Sequence, residues 1–505
     1  MADQPVRRPP TLAAAPVRLS GLLPGAGELS VTGVSLDSRR VGPGELYAAL
    51  PGQHTHGARF AADAAARGAV AVLTDAEGQA LVGDLLPVIV VDDPRLALAE
   101  VAAVVHGRPA EAMRTFGITG TNGKTSTMFL LEAALAALGE RVGTLGTIGF
   151  RLAGRQLPRS RSTVTTPEAP DLQQLLAELR TAGCTSVAME VSSHALALHR
   201  VAGITFDVAG FTQFGRDHLD FHHTLQNYFE AKSRLFLDGR ARACVVSIDD
   251  EWGRRLAGLI RADGTPLLTT GVTPEADVRL LACSTDAEQR SLVRAATPSG
   301  ELNFTVGIAG DFNVRNALTA LAMVQAAGLD AQRAATGLAQ AFVPGRMQRV
   351  PLGAAAPRVV VDFAHTPEAV AAALAGLPAP RIVVLGAGGD RDPGKRGPMG
   401  AAAAANAEVV IVTDDNPRSE APESIRAQVL RGARTAGGAE VIDGGDRRSA
   451  IALALARATP DAWVAVLGKG HESGQEIAGV VRPFDDVAVV RDAWQGVRGG
   501  SADGA

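Results

Sequence analysis

Residues 117 to 125 read Gly117-Ile-Thr-Gly-Thr-Asn-Gly-Lys-Thr125, followed by Ser126 and by apolar positions Met128, Leu131, Leu135 and Leu138 at helical spacing. A strand predicted over Arg114 to Thr119 feeds this loop. Strand, glycine-rich turn and helix together aim backbone N–H groups and a helix N-terminus at a phosphate chain. Lys124 adds positive charge there, and the Thr125 hydroxyl can reach Mg²⁺. The GxxxxGK[ST] pattern is not met, because position 118 is Ile and the glycines fall at 117, 120 and 123, so the loop is a variant. The bland reading, a strand-to-helix turn with a surface lysine, is disfavoured because four neighbouring features agree.

Glu190 closes the apolar run Thr185 to Met189. A carboxylate leaving a buried strand beside a phosphate loop suits Mg²⁺, which takes oxygen ligands and keeps waters and substrate phosphates. Without that loop a solvated strand-end glutamate would be the better reading. Lys232 falls, at ~100° per residue, inside an apolar stripe of Tyr228, Phe229, Leu235 and Phe236. Burial would favour its neutral amine, able to form a carbamate with CO₂ or to accept a proton. A snorkelling side chain fits the spacing equally well. His218 and His222 have HxxxH spacing that could set two imidazoles on one helical face, but no Glu follows the first and no further ligands are evident. Zinc is not expected; a single imidazole near a magnesium-phosphate site, or an exposed helix start, remains.

Towards the C-terminus, DFAHTP, GAGGDRDPGK, TDDNPR and GKGHE each follow a predicted strand, where open parallel sheets display their chemistry. GAGGDR is not a dinucleotide fingerprint, since GxGxxG would need Gly at Arg391. Arg391 and Arg418 instead offer guanidinium groups for a carboxylate, and Asp414, Asp415 and Glu472 offer acids for an ammonium. Together they suggest an amino-acid pocket, against the alternative of unrelated surface charges.

These groups need elements to hold them. The 505 residues correspond to about three domains at ~150 each. With 46% apolar and 20% charged residues and a net charge of −4, the chain is of ordinary globular type, without a nucleic-acid footprint. Cys184, Cys244 and Cys283 have no paired spacing, which points to a reducing cytoplasm. The first 25 residues read as a ragged leader rather than a signal peptide, and no window approaches a membrane span. Strand-like runs (Ala69 to Thr74, Pro87 to Val91) alternate with helical ones (Ala58 to Arg67, Arg95 to His106) up to a lapse at GRPAE. A second α/β unit runs to the breaker Val343-Pro344-Gly345. A third then carries strands at Arg358 to Asp362, Arg381 to Leu385, Val409 to Thr413 and Trp463 to Leu467. The expected domains are 1–112, 113–344 and 345–505.

GTNGKTS, MEVSSHAL, RDHLDFHHTLQNYFEAKSRLF, DFAHTP, GGDRDPGKRGPMG, DNPR and GKGHE, in that order, resemble the Mur ligases of peptidoglycan synthesis, and the likeness extends back to VSLDSRRVGPGELYAALPG. The resemblance implies an α/β fold with a central P-loop ATPase-like parallel sheet, a small N-terminal α/β domain and a C-terminal Rossmann-like domain. It also implies an ATP-dependent carboxylate-amine ligase acting on UDP-N-acetylmuramoyl-L-Ala-D-Glu and a diamino acid, as a cytoplasmic monomer. By matching position, Gly120, Thr121, Asn122, Gly123, Lys124, Thr125, Ser126, Asn316, Arg346 and Asp362 would bind ATP. Thr125, Glu190, His218 and carbamylated Lys232 would hold Mg²⁺, with Lys124, Glu190, His218 and Lys232 catalytic. Ser38, beside Arg39, with Thr165, Thr166, Ser192 and Arg200, would bind the muramoyl peptide. Arg391, Asp415, Asn416, Pro417, Arg418, Gly468 and Glu472 would bind the diamino acid. Leu198 stands where the family has Gln, FTQFGRDH replaces FTNLSRDH, and the loop at Arg391 differs from GGDRDKGKRPLM.

The expected substrate is meso-diaminopimelate, whose second carboxylate Arg418 would clamp. L-lysine or L-ornithine stays open because a local acid such as Glu420 could occupy Arg418 instead. A folylpolyglutamate-type ligase or a non-enzymatic nucleotide switch would share the phosphate loop.

Overall fold

The computed structural model describes residues 16–52, 55–157, 165–286, 290–353 and 355–500; most of the leader lies outside them. Three larger sheets organise the described residues, beside two of only two strands each. The first has four parallel strands, Gly33–Ser35, Glu45–Ala48, Ala71–Thr74 and Val88–Val90. The helix expected from Ala58 to Arg67 is divided into a 3-10 turn, Gly57–Phe60, and an α-helix, Ala61–Ala66. The His56 ring accepts from the Ala58 N–H and so starts the chain in a tighter turn.

The central sheet has eleven strands. Seven run parallel in the order Val142–Gly146, Ser186–Glu190, Arg114–Thr119, Phe206–Phe211, Ala241–Ser247, Leu267–Gly271, Val278–Thr285. The body of the sheet is parallel as expected, and antiparallel strands extend it at both edges. Gly149–Leu152 and Arg155–Gln156 add antiparallel on one side, Ser291–Thr297 and Gly300–Val306 on the other. The joining turns are too short for the crossover that parallel strands require, and Gly149 and Gly300 take the positive φ such turns use, 100° and 119°.

The third sheet runs Gln348–Val350, Arg358–Asp362, Trp463–Leu467, Arg381–Ala387, Val409–Asp414, Glu440–Gly445, parallel except for the first strand. Its inner strands, such as Val-Val-Ile-Val and Trp-Val-Ala-Val-Leu, are near-continuous apolar runs, as strands covered by helices on both faces must be. The strand latest in the sequence, Trp463–Leu467, inserts between Arg358–Asp362 and Arg381–Ala387, so the loops after all three open on one edge. One apolar cluster continues from Phe116 and Leu130 through Leu318 to Leu374 and Val383, so the second and third sheets share a core. Among the described residues no helix is long and apolar enough to cross a membrane.

Behind the open edge of the third sheet, Arg447 and Asp486 form a bidentate pair at 2.8 and 2.7 Å, both side chains fully buried, and Arg447 also donates to the Leu467 carbonyl at 3.0 Å. The pair ties the helix Asp486–Gly500 to the strand that precedes GKGHE. Removing one partner strands a charge in the core. Arg447→Met should therefore lower stability by about 3–5 kcal/mol, and Arg447→Met with Asp486→Leu should recover most of it. Calorimetric unfolding of the three proteins checks this; a double variant no more stable than the single one would contradict it.

Candidate active site

Strand register builds the site. Glu190 pairs with Ile118 and Phe211 with Thr119, so the carboxyl ends of three parallel strands surround the loop that follows Thr119. Gly120 and Gly123 have φ of 150° and 88°. A Cβ on Gly123 would stand 2.5 Å from Asn316 Oδ1, so that asparagine packs directly on the loop. The Thr212 hydroxyl donates to the Asn122 carbonyl at 2.6 Å, and the Thr121 N–H donates to the Gln213 carbonyl at 2.6 Å. Helix Lys124–Ala137 begins immediately, with Thr125 and Ser126 buried in its first turn.

Glu190 is fully buried. Its Oε1 accepts from the Thr125 hydroxyl at 2.9 Å and the Thr147 N–H at 3.0 Å, and its Oε2 accepts from the Thr147 hydroxyl at 3.0 Å. Arg346 Nη2 donates to Thr125 Oγ1 at 3.5 Å, and its guanidinium lies 4.4 Å over the Phe363 ring. Asp362, beside it, accepts from the N–H groups of Met347 at 2.6 Å and Ala364 at 2.8 Å. Burial lowers the pKa of Arg346 and raises that of Asp362, each opposed by the charge of the other. The second and third units thus meet at the phosphate loop.

Lys232 is 1% exposed, so its head group does not snorkel. Its helix, Leu225–Ser233, ends before Leu235 and Phe236; those two complete the apolar stripe from the following turn. Its Nζ donates to the Gly120 carbonyl at 2.7 Å and lies 4.5 Å from the Tyr228 ring centroid. Lys124 Nζ donates to the same carbonyl and to that of Thr121, both at 2.9 Å. Burial, and then the charge of Lys124, takes the Lys232 pKa well below its ordinary value. Burial likewise lowers Lys124, with Glu190 opposing.

His218 does not share a helical face with His222. It sits in a left-handed conformation, φ 53°, capping the short helix Leu219–His222, while His222 Nε2 is 2.9 Å from Ser193 Oγ. The His218 ring stands edge-on to His194, with centroids 4.9 Å apart. Burial, with the charges of His194, Lys124 and Lys232, brings its pKa down to about 4 against the pull of Asp217. Among the described residues no group of three His, Cys, Asp or Glu side chains forms a closed cation cage. The Thr125 hydroxyl and the Glu190 carboxylate, 2.9 Å apart, are oxygen donors of the kind magnesium takes alongside phosphates and waters.

A second cluster touches Glu190 from its backbone side. Thr166 Oγ1 donates to the Glu190 carbonyl at 2.9 Å and accepts from the Ser192 N–H at 3.1 Å. Arg200 Nη1 donates to the Thr166 carbonyl at 3.0 Å, and Thr165 Oγ1 is 3.3 Å from Thr147 Oγ1. Ser38 stands apart from these four, buried in the 3-10 turn Ser38–Arg40 of the first unit. The turn's Arg40 reaches Asp171 at 3.1 Å, shortly beyond Thr166.

The open edge of the third sheet gathers the remaining candidates. Asn416 Nδ2 donates to Glu472 Oε2 at 2.7 Å, and the buried Lys469 Nζ reaches Asn416 Oδ1 at 3.1 Å and Glu472 Oε2 at 3.0 Å. Gly468, at φ 112°, leaves space that a Cβ would close against Asp415 Oδ2. Arg418 Nη1 donates to the Gly389 carbonyl at 2.6 Å, and Arg391 is exposed nearby. Two expectations change here. Asp414 pairs with Arg426, on the helix Pro422–Ala436, and so serves the scaffold rather than a ligand. Glu420 pairs with Arg396 and not with Arg418. Thr147, Tyr228, His194 and Lys469 were missed by sequence reasoning. Lys469, His194 and Tyr228 lie inside quoted motifs, whereas Thr147 carries no signal beyond a strand end.

Comparison with known proteins follows the same three units. The Mur ligase family, catalytic domain matches residues 30–106, the Mur ligase middle domain 118–324, and the Mur ligase, glutamate ligase domain 345–470. The chain is 45% identical over 488 residues to the UDP-N-acetylmuramoyl-L-alanyl-D-glutamate--2,6-diaminopimelate ligase of Streptomyces avermitilis, covering 94% of each chain. It is 46% identical over 492 residues to the protein of that name in Streptomyces coelicolor, again with 94% of each covered. A solved structure of a ligase of that name superposes with a TM-score of 0.68 at 32% identity, covering 93% of this chain and 96% of that one. Matches spanning all three sheets, at such identity, make this chain a member of the Mur ligase family.

Proposed function

We propose that the protein is an ATP-dependent ligase that joins meso-diaminopimelate to the γ-carboxylate of the D-glutamyl residue in UDP-N-acetylmuramoyl-L-Ala-D-Glu, a step of peptidoglycan precursor synthesis. Glu190 carries this reading. Its side chain receives Thr125 of the phosphate loop, and its backbone carbonyl receives Thr166 of the acceptor cluster, each at 2.9 Å. One residue thus sets a triphosphate and an acceptor carboxylate side by side. The relatives named above act, by name, on the same pair of substrates.

A carboxylate is a poor electrophile until one oxygen becomes a leaving group. Transfer of the γ-phosphoryl group of ATP to the glutamyl carboxylate supplies this, and attack by the substrate amine on the acyl phosphate then expels phosphate and leaves the amide. Positioning and charge neutralisation dominate phosphoryl transfer, and Lys124 and Arg346 place two cations at the loop. Magnesium would add charge neutralisation across the phosphate oxygens, held by Thr125, Glu190, His218 and a carbamate on Lys232. The buried amine of Lys232 favours that carbamate: its neutral lone pair adds to CO₂ and a proton is released. Gly120 to Ser126, Asn316, Arg346 and Asp362 line the ATP side, and Thr165, Thr166, Ser192, Arg200 and, from the first unit, Ser38 the muramoyl side.

On the amino-acid side, Glu472 and Asn416 face the ammonium, with Asp415, Pro417 and Gly468 shaping the pocket, and Arg391 and Arg418 face carboxylates. The domains are assigned as 1–112 for the uridine nucleotide, 113–344 for ATP and 345–505 for the amino acid. The nucleotide substrates suit a cytoplasmic enzyme, and the self-contained site suits a monomer.

Phosphate release should require both the UDP-muramoyl dipeptide and the diamino acid. A guanidinium left without its carboxylate costs ~1–3 kcal/mol, so kcat/KM for L-lysine and L-ornithine should fall at least about tenfold below that for meso-diaminopimelate. Steady-state assays with the three amino acids check this. Equal use would remove the diaminopimelate assignment, and phosphate release without the dipeptide would favour a nucleotide switch or another ligase. Lys232→Ala should lose turnover and regain part of it with acetate or formate, which can occupy the carbamate position; no recovery at any concentration would count against the carbamate.

A further inference from the structure

Glu420 stands two residues beyond Arg418 on the same loop, and Cα atoms so placed are at most ~7 Å apart, well within the joint reach of the two side chains. Yet both Glu420 oxygens are turned away. Oε1 accepts from Arg396 Nη2 at 2.7 Å and from the Asp390 N–H at 2.7 Å, and Oε2 accepts from Arg396 Nη1 at 2.9 Å. Arg396 is 1% exposed, at the start of the helix Arg396–Asn406, and Nη2 also donates to the Gly388 carbonyl at 3.1 Å. Planar two-point pairing of this kind fixes direction as well as distance.

The pair sits inside a lattice that joins the loop before Arg391 to the loop carrying Arg418. Gly389 N–H donates to the Asn416 carbonyl at 2.9 Å, and the Ser419 hydroxyl donates to Asp390 Oδ1 at 2.6 Å. Asp390 and Arg418 both hold left-handed backbones, φ 52° and 53°, which non-glycine residues keep only when their surroundings impose them. Arg418 lies against the Gly388-Gly389 backbone through Nη1, while its Nη2 has no hydrogen bond among the described residues. Glu476 Oε2 lies 3.7 Å from Arg418 Nε, on the edge that Nε shares with Nη2 and beyond hydrogen-bond distance.

We propose that Arg396 is a positioning residue that determines amino-acid specificity: by engaging both oxygens of Glu420 it keeps that acid off Arg418, so that Nη2 can meet the second carboxylate of the substrate. The inference rests on the diaminopimelate reading above. It recasts Glu420 from a competitor into a restrained one, held in check by a buried cation that never touches substrate.

The test uses the full-length protein with ATP, magnesium and the UDP-muramoyl dipeptide, comparing wild type, R396M, R396K, R396M/E420Q and R396K/E420Q against meso-diaminopimelate and L-lysine. R396M should raise KM for meso-diaminopimelate about tenfold, leave KM for ATP within about twofold, and narrow the preference over L-lysine; adding E420Q should recover most of the loss. A double variant no better than R396M, or equal damage to kcat and to KM for ATP, overturns the proposal in favour of a structural role. If thermal melting shows R396M unfolded, the R396K pair decides the matter in the same way, with an expected rise of about threefold. Phenylglyoxal labelling of Arg418, followed by mass spectrometry of its peptide, reads the accessibility of this guanidinium without any substrate. It should slow about threefold in R396M and recover in the double variant, and an unchanged rate overturns the proposal. Should the wild type fail to use any diamino acid, the functional reading falls while the labelling still decides the clamp.

Discussion

A carboxylate buried at the end of a central strand has to be fully hydrogen-bonded or it costs more than the fold can supply. Glu190 meets that demand with the Thr125 hydroxyl and with both donors of Thr147. None of these donors is a cation, so no ion pair fixes the carboxylate within hydrogen-bond distance. The same constraint fixes neighbours: Thr125 must open its helix there, Thr147 must follow the strand Val142–Gly146, and the Glu190 carbonyl must meet Thr166. The loop after Thr119 and the cluster around Thr166 are therefore tied together by one residue's hydrogen bonds.

The third sheet solves a related problem by strand order. Inserting Trp463–Leu467 between two earlier strands brings loops distant in sequence to one edge, and the Arg447–Asp486 pair anchors that inserted strand from behind. Lys469, buried beside Glu472 and Asn416, then neutralises an acid that would otherwise stand unpaired at the edge of the core. The apolar cluster shared with the second sheet holds this edge opposite the phosphate loop, where Arg346 reaches Thr125.

Much of this was legible because it is local. The strands Arg358–Asp362 and Trp463–Leu467 carry uninterrupted apolar runs followed by glycine or polar residues, and Arg114–Thr119 leads straight into a glycine-rich turn, so their limits could be read directly. The apolar stripe around Lys232 placed the lysine on a buried face, though spacing alone could not decide whether its head reached water; that depends on Gly120, more than a hundred residues away. The antiparallel edges of the central sheet were missed because a hairpin strand and a buried parallel strand look alike over a few residues. The partners of Asp414 and Glu420 were illegible for the same reason as Thr147: each is chosen by an element that the chain brings in from elsewhere.

The Gly120 carbonyl accepts from two lysines at once, Lys124 and Lys232. Two amine heads that meet at a single oxygen compete for it, and the charge of Lys124 disfavours the ammonium form of Lys232. Whatever draws Lys124 outward leaves Lys232 as sole claimant of that oxygen and takes a like charge from its side. Traffic through the loop and the chemical state of the deeper amine are therefore joined by one backbone atom.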